Sequence, residues 1–307
     1  MTGPRTTVVG SLNADLTIPV DHLPEPGETV LSVGPSQLSF GGKGGNQAAA
    51  AAAFGGDVAM VGRVGADDFG GQIRADLSGR GIDVTRVISV PEARTGSAVV
   101  AVDQRGENLI VVDPGANSEL RPADVAEGVL NGAAIVLAQL EIPLDTVAAV
   151  VAAGVPVVLN AAPAMPLASS LLDRVSVLVV NATELAMLAG TRPPATPEAA
   201  LPLARRLHRD VVVTLGEDGA LVVPRRPARP VHIPAPTVEI RDATGAGDCF
   251  CGTLAVLLAE GAELANAAHV AVAAATLSAT ASGARGKLPS RGEASALAAG
   301  LNIREVG

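Results

Sequence analysis

Apolar residues in this chain fall in short unbroken blocks rather than in strict alternation. The runs 134–138, 155–159, 175–180 and 211–215 are rich in Val, Leu and Ile, and helical stretches at 144–153, 183–189 and 198–208 separate them. Blocks of this kind predict strands buried on both faces, in a mostly parallel sheet covered by helices on either side. Thr6-Thr-Val-Val-Gly10 predicts the first strand. A long helix is predicted from about Gly45 through the Ala48–Ala53 run to Phe54, with Gly55-Gly56 as its stop. Three further stretches have no helix between them: 29–33, 98–102 and 108–112, the last two framing Gln104-Arg-Gly106 as a hairpin. They predict a small antiparallel sheet apart from the main core, over segments of about 16–40 and 95–112.

Other stretches read as connections. Pro and Arg crowd residues 224–236, which predicts a solvated link between strands, and 191–198 reads as another loop. Segment 264–281 is rich in Ala and Val but interrupted by Asn266 and His269. A membrane span needs about 20 predominantly apolar residues, so this segment predicts a buried helix. A length of 307 residues, without internal repeat or linker, predicts one α/β domain.

Composition narrows the chemistry. With 1% aromatic residues and neither Trp nor Tyr, the core must be built from Ala, Val and Leu, so its elements must approach closely. A formal charge of −9 excludes a polyanion such as nucleic acid as the expected partner, yet leaves room for a small anion held by local donors. Cys249 and Cys251 are too close for an ordinary disulfide loop and too few for a zinc site, so they predict reduced thiols and a cytoplasmic protein. His22, His208, His232 and His269 show no ligand spacing. The N-terminus lacks the apolar stretch of a signal peptide.

Three segments carry candidate chemistry. Asp242-Ala-Thr-Gly-Ala-Gly-Asp248 leads into the apolar run 253–258, predicting a turn that opens onto a helix. Backbone N–H groups at such a turn converge on an anion, aided by the positive end of the helix dipole. Asp248 stands at its edge, where a carboxylate is costly unless it takes a proton from a hydroxyl attacking phosphorus. From this segment alone, a helix-capping aspartate is an equally good reading. Gly41-Gly-Lys-Gly-Gly-Asn-Gln47 precedes the Ala-rich helix. It is not a Walker A loop, because Gly44 follows Lys43, and it lacks the Rossmann glycine spacing. Its bare backbone admits a polar ligand, and Lys43 and Asn46 offer donors. Gly10-Ser-Leu-Asn-Ala-Asp15 follows the first strand, where ligands of parallel sheets sit. Asn13 and Asp15 can bond the vicinal hydroxyls of a polyol, though Asn-Ala-Asp alone is also an ordinary turn.

Six further motifs continue the order: Pro26-Gly-Glu-Thr29, Pro114-Gly-Ala-Asn117, Gln139-Leu-Glu141, Asn160-Ala-Ala-Pro-Ala164, Asn181-Ala-Thr-Glu184 and Thr214-Leu-Gly216. Together with the first three they resemble the ribokinase (PfkB) family of carbohydrate kinases, nearly end to end. The resemblance implies a three-layer α/β fold with a mostly parallel central sheet flanked by helices and a small antiparallel β lid that also forms a homodimer contact. It implies transfer of the γ-phosphoryl of ATP to a sugar hydroxyl, with Asp248 as base and the amides of Gly245, Ala246 and Gly247 as anion hole. Gly41, Gly42, Lys43, Asn46, Glu141, Asn13 and Asp15 would line the sugar site. Asn181 and Glu184 would position magnesium and the phosphates, Glu184 through water, while Thr214, Gly216, Gly247 and Val272 would lie along the nucleotide. A potassium ion would be held by Asp242, Thr244, Ser278, Ala281, Gly283 and Ser290. Two departures stand out: Gly45 replaces the family's more usual Ala, and Arg285-Gly-Lys-Leu-Pro-Ser290 is longer than its usual turn.

Among family substrates the polar set favours ribose over a deoxysugar, which would leave one partner unpaired. A kinase for another pentose, deoxyribose or a nucleoside is the alternative. A sugar-binding protein without catalysis is a different class on the same fold, but it would gain nothing from a base at Asp248.

Overall fold

The apolar blocks assemble into a ten-stranded sheet in the computed structural model, which describes residues 3–126, 128–225 and 227–307. Met1, Thr2, Glu127 and Arg226, the last within the Pro- and Arg-rich stretch, lie outside the described residues.

In chain order the elements are β1 (Arg5–Val9), β2 (Asn13–Pro19), β3 (Gln37–Gly41), α1 (Lys43–Ala53), β4 (Asp57–Gly65), α2 (Asp68–Gly79), β5 (Asp83–Val90), β6 (Gly96–Val102), β7 (Asn108–Asp113) and β8 (Ala133–Ala138). There follow α3 (Leu144–Ala152), β9 (Val157–Asn160), α4 (Ser169–Leu172), β10 (Val177–Asn181), α5 (Ala182–Ala189), α6 (Pro197–Leu207), β11 (Val211–Thr214), β12 (Ala220–Val223) and β13 (Val231–Ile233). The chain ends with α7 (Ala246–Ala259), α8 (Leu264–Ser278), α9 (Arg291–Ala298) and β14 (Arg304–Glu305).

The large sheet runs β14-β13-β12-β11-β10-β9-β8-β1-β4-β5 and is parallel from β11 to β5. Its strands read as continuous apolar runs because both faces are buried. Val8, Met60, Leu137, Val158, Val179 and Val212 enter one core with α1, α2, α7, α8 and α9. Their neighbours Val9, Val61, Val136, Leu159, Val180 and Val213 enter the other, with α3, α4, α5 and α6. Period-two side-chain direction therefore feeds two cores rather than one core and solvent.

The smaller sheet, β3-β2-β6-β7, lies beside it. Its outer ladders are antiparallel and its central ladder, β2 with β6, is parallel. The expected strand at 29–33 is not formed; that stretch contributes only an isolated bridge from Ser32 to Val20, and Leu31 is left 80% exposed. The strand in its place is β3, which is held by its register with β2 from Gln37 to Gly41. The Pro- and Arg-rich stretch is not wholly a loop either, because β13 adds to the antiparallel end of the sheet. Its prolines fall outside the paired residues, as strand geometry requires. The 264–281 segment is α8, and its Ala267, Ala268, Ala271 and Ala274 are buried.

Two features place the site. Gly10–Leu12 carries the chain from the large sheet directly into the small one. Second, α1 and α7 cross closely, because Gly252 offers no side chain where a Cβ would stand 2.5 Å from the Gln47 carbonyl oxygen and 2.9 Å from the Ala51 nitrogen. Backbone cannot yield as a side-chain tip does, so Gly252→Val is expected to destabilise the fold by about 1–3 kcal/mol. Urea unfolding measures this, and an unchanged midpoint would contradict the close crossing.

Candidate active site

The polar ends of β1, β8, β9 and β10 point to the same edge of the parallel sheet, where the N-termini of α1 and α7 also arrive. The two readings of Asp248 separate here. The N-cap of α7 is Gly245, in the left-handed conformation at φ 76° and without a capping side chain. Asp248 lies in the first turn, and its carboxylate turns to α1 instead. Oδ2 accepts a hydrogen bond from Asn46 Nδ2 (3.1 Å) and Oδ1 from Gln47 Nε2 (3.0 Å). Burial pushes the Asp248 carboxyl upward, against the opposing effect of Lys43, Gln47 and Asn46, with the charge of Glu141 adding to the rise. Each oxygen keeps lone-pair capacity for a further donor.

Gln47, which sequence reasoning passed over, is the hub of a buried chain. Its Oε1 accepts from Gln139 Nε2 (2.6 Å), and its Nε2 is shared between Asp248 and Asn160 Oδ1 (3.1 Å). Its signal was present: an amide directly before the Ala48–Ala53 run of a buried helix needs partners.

Gly245, Ala246 and Gly247 form the turn before Asp248. The Ala246 N–H is donated to the Ala243 carbonyl (3.1 Å), while the first-turn amides of Gly247 and Asp248 have no intrahelical acceptor by helix construction. Gly245 is required twice over, by its φ and because a Cβ would stand 2.6 Å from Ala284 Cα.

On the other side of Asp248, the small sheet delivers Asn13 and Asp15. Asn13 pairs with Gly41 across the β2–β3 ladder. Asn13 Oδ1 accepts from Asn117 Nδ2 (2.7 Å), and Asn117 Oδ1 accepts from the Leu12 N–H (2.8 Å). Asn117 is thus a second residue that the sequence reading left without a role. The Asp15 carboxylate lies over bare Gly41, where any Cβ would collide with it, and its buried Oδ1 has no partner among the described residues. Gly42, at φ 75°, caps α1. Glu141 accepts from Ser11 Oγ (2.6 Å) and from the Lys43 N–H (3.0 Å). Burial alone would lower the Lys43 ammonium, but the charges of Asp248, Glu141 and Glu184 hold it above its ordinary value. Asn13, Asp15, Gly41, Gly42, Lys43, Asn46 and Glu141 therefore converge around one cleft.

Asn181 and Glu184 first serve α5. They form a reciprocal capping box, with Asn181 Oδ1 accepting from Glu184 N–H and Glu184 Oε2 from Asn181 N–H, both at 2.8 Å. Burial raises the Glu184 carboxyl, the Asn181 N–H and Lys43 oppose it, and Asp248 adds to the rise. Glu184 Oε1 takes no part in the box. Thr214 and Gly216 lie at and just past the end of β11, the neighbour of β10. Val272 is packed into the core, 4% exposed.

The predicted cation residues fall on segments 242–244 and 278–283 and at Ser290. Asp242 accepts from Thr244 N–H and Gly283 N–H, both at 2.8 Å, and the Arg241 and Asp242 amides reach the Ala279 carbonyl, so 241–244 and 279–283 form one loop pair. Burial opposes ionisation of Asp242, but the Thr244 and Gly283 hydrogen bonds hold its carboxyl below the ordinary value. Ser278 hydrogen-bonds the Ala275 carbonyl through Oγ, and the Ala281 N–H reaches back to Ser278. Ser290 is the N-cap of α9, and its hydroxyl takes part in the capping box with Glu293. Cys249 and Cys251 are free and buried, and burial pushes the Cys249 thiol up to about 12, so neither is a nucleophile at neutral pH.

Comparison with known proteins gives concordant results. The pfkB family carbohydrate kinase model matches residues 4–291. The ribokinase of Haemophilus influenzae is 37% identical over 297 residues, which is 94% of this chain and 96% of the relative. Thermotoga maritima ribokinase has a TM-score of 0.87 at 32% identity, covering 95% of this chain and 98% of that one. Arabidopsis thaliana ribokinase, solved with ribose and ATP, has a TM-score of 0.86 at 34% identity, covering 97% and 99%.

Asp15 supplies a test that is independent of turnover. Burial raises its carboxyl from 3.8 to about 6, Glu141 adds to the rise and Arg285 opposes it. The folded state therefore binds this proton more tightly than the unfolded chain does. Its ionised form lowers stability in full above about pH 6, and the loss is relieved as pH falls toward 3.8. Asp15→Asn is expected to stabilise the protein by on the order of 1 kcal/mol at neutral pH and to change little near pH 4. Urea midpoints at both pH values measure it, and destabilisation at neutral pH would contradict the assignment.

Proposed function

The chain belongs to the pfkB family of carbohydrate kinases, and from that premise we propose that it is an ATP-dependent ribokinase, making ribose 5-phosphate and ADP. The carrying observation is the setting of Asp248: a buried carboxylate in the first turn of α7, held by Asn46 and Gln47, between that helix end and the Asn13–Asp15 pair.

Asn13, Asp15 and the α1 turn orient the sugar so that its primary hydroxyl reaches Asp248. Asp248 accepts the hydroxyl proton as the oxygen forms its bond to the γ-phosphorus, and the bond from phosphorus to the bridging oxygen of ADP breaks. A raised carboxyl is a better base for this step. The first-turn amides of α7 and the Lys43 ammonium stabilise charge on the transferring group without reorganising. Ribose supports the reading because its hydroxyls satisfy both Asn13 and Asp15.

Two cations fit the residues present. Glu184, with Oε1 outside the capping box, would hold magnesium through water, and that ion would offset phosphate charge. Among the described residues no cluster of three or more His, Cys, Asp or Glu could hold a metal, which is compatible with a water-mediated site. Potassium would sit at the loop pair of Asp242, Thr244, Ser278, Ala281 and Gly283, with Ser290 as the remaining ligand.

We further propose that the chain acts as one kinase domain with the small sheet as its lid, and that it forms a homodimer through that sheet. All six residues of β7 are exposed, including Leu109, Ile110, Val111 and Val112, which supports a covered face in the assembly. Among the described residues no helix is long and apolar enough to cross a membrane. Two buried free thiols support a reducing, cytoplasmic setting.

Asp248→Asn is expected to fold and bind ATP yet lose about 10²–10⁴-fold in kcat; near-normal turnover would sink the mechanism. A coupled ADP-release assay over ribose, deoxyribose, other pentoses, fructose and nucleosides, with and without potassium, tests the substrate. Ribose is expected to lead, and activity confined to a nucleoside would overturn that choice. Val111→Glu is expected to give monomers by light scattering, whereas an unchanged mass would remove the lid contact.

A further inference from the structure

Arg285 lies behind Asn46, and each of its three guanidinium nitrogens donates a hydrogen bond inside the protein. The side chain is 8% exposed. Nε donates to Asn46 Oδ1 (2.9 Å), Nη1 to Asp76 Oδ2 on α2 (2.8 Å), and Nη2 to the Gly41 carbonyl (3.4 Å). One residue from the C-terminal loop thus ties together α1, α2 and the end of β3.

Its contact with Asn46 matters most. An amide has nearly the same shape with oxygen and nitrogen exchanged, so its orientation is set by its partners. Here Oδ1 receives Arg285 Nε while Nδ2 is given to Asp248 Oδ2. Turned over, the amide would set nitrogen against guanidinium and oxygen against carboxylate, losing both bonds. Arg285 therefore holds from behind the group that holds the base in front. Room for it comes from Gly45, where a Cβ would stand 2.5 Å from Arg285 Nη2. The two departures in the sequence, Gly45 in place of Ala and the 285–290 stretch, are one structural feature.

We propose that Arg285 is a positioning residue for phosphoryl transfer, fixing the Asn46 amide so that Nδ2 faces Asp248, and that Gly45 lacks a side chain in order to admit it. The inference rests on the reading of Asp248 as the base. Burial lowers the guanidinium to about 10, with Asp76 opposing, so it stays charged at neutral pH.

The test uses the full chain, with ribose turnover and urea unfolding measured in parallel for Arg285→Lys, Arg285→Ala, Gly45→Ala and the Gly45→Ala/Arg285→Ala pair. Lysine keeps a charge for Asp76 but lacks the Nε donor. Arg285→Lys is expected to lose roughly 10-fold or more in kcat, with KM for ribose and the unfolding midpoint much less affected. Gly45→Ala is expected to harm kcat in the wild-type background and to add nothing beside Arg285→Ala, since the clash is gone. Normal kcat in Arg285→Lys, or an equal effect of Gly45→Ala in both backgrounds, would overturn the proposal. If Arg285→Lys loses stability as well, the Gly45→Ala comparison decides. Asp248→Asn, run alongside, separates the two ideas. If it is active the base assignment fails and the proposal with it; if it is inactive while Arg285→Lys is normal, only the proposal fails. Should another sugar prove to be the substrate, the same variants are read with that sugar.

Discussion

A carboxylate that is 8% exposed has to be solvated by protein, and most of the architecture around the cleft follows from that one requirement at Asp248. Two amides from consecutive residues of α1 do the solvating. They reach it only because α1 and α7 cross at a distance set by Gly252 and by the alanines facing it. The scarcity of aromatic residues is therefore more than a compositional oddity. Larger side chains along these two helices would move Asn46 and Gln47 out of reach of Asp248, so a small-residue core and the polar cluster are one design.

The cleft also needs a second wall, and the chain supplies it by leaving the large sheet just after β1. Over Gly10–Leu12 it passes from a strand buried on both faces to one with a partly exposed face. Several polar groups at that crossing are tied down: Ser11 to Glu141, the Leu12 N–H to Asn117, and Asn13 to Asn117. Among the described residues Asp15 Oδ1 has no partner, nor has Gln139 Oε1 beside Gly10. Such an acceptor costs stability when left alone and gains when a hydroxyl approaches, which supports the proposed sugar site.

Much of this was legible beforehand, for physical reasons. The parallel strands announced themselves as apolar blocks because two cores draw on alternate residues. The glycine-bearing motifs were visible because close backbone approach leaves no alternative residue. What escaped was set by partners far along the chain. Thr29–Val33 looks like a strand by propensity but finds no ladder, whereas Gln37–Gly41 looks weak and is chosen by its register with β2. Gln47, Asn117 and Arg285 are ordinary polar residues until tertiary contacts reveal what they hold. Asn181 and Glu184 carry a double meaning, since a capping box explains their spacing without any ligand.

The parallel ladder between β2 and β6 has a consequence for how the molecule is made. Parallel neighbours cannot be joined by a tight turn, and here residues 13–19, whose other edge pairs with β3, find their second neighbour only at residues 96–102. Asn13 reaches farther still, to Asn117. Closing so long a loop is costly before any contact repays it, so this sheet adds contacts of high sequence separation to the fold. The wall that carries Asn13 and Asp15 is therefore completed only by distant parts of the chain, beside an Asp248 that is itself supplied from its last quarter.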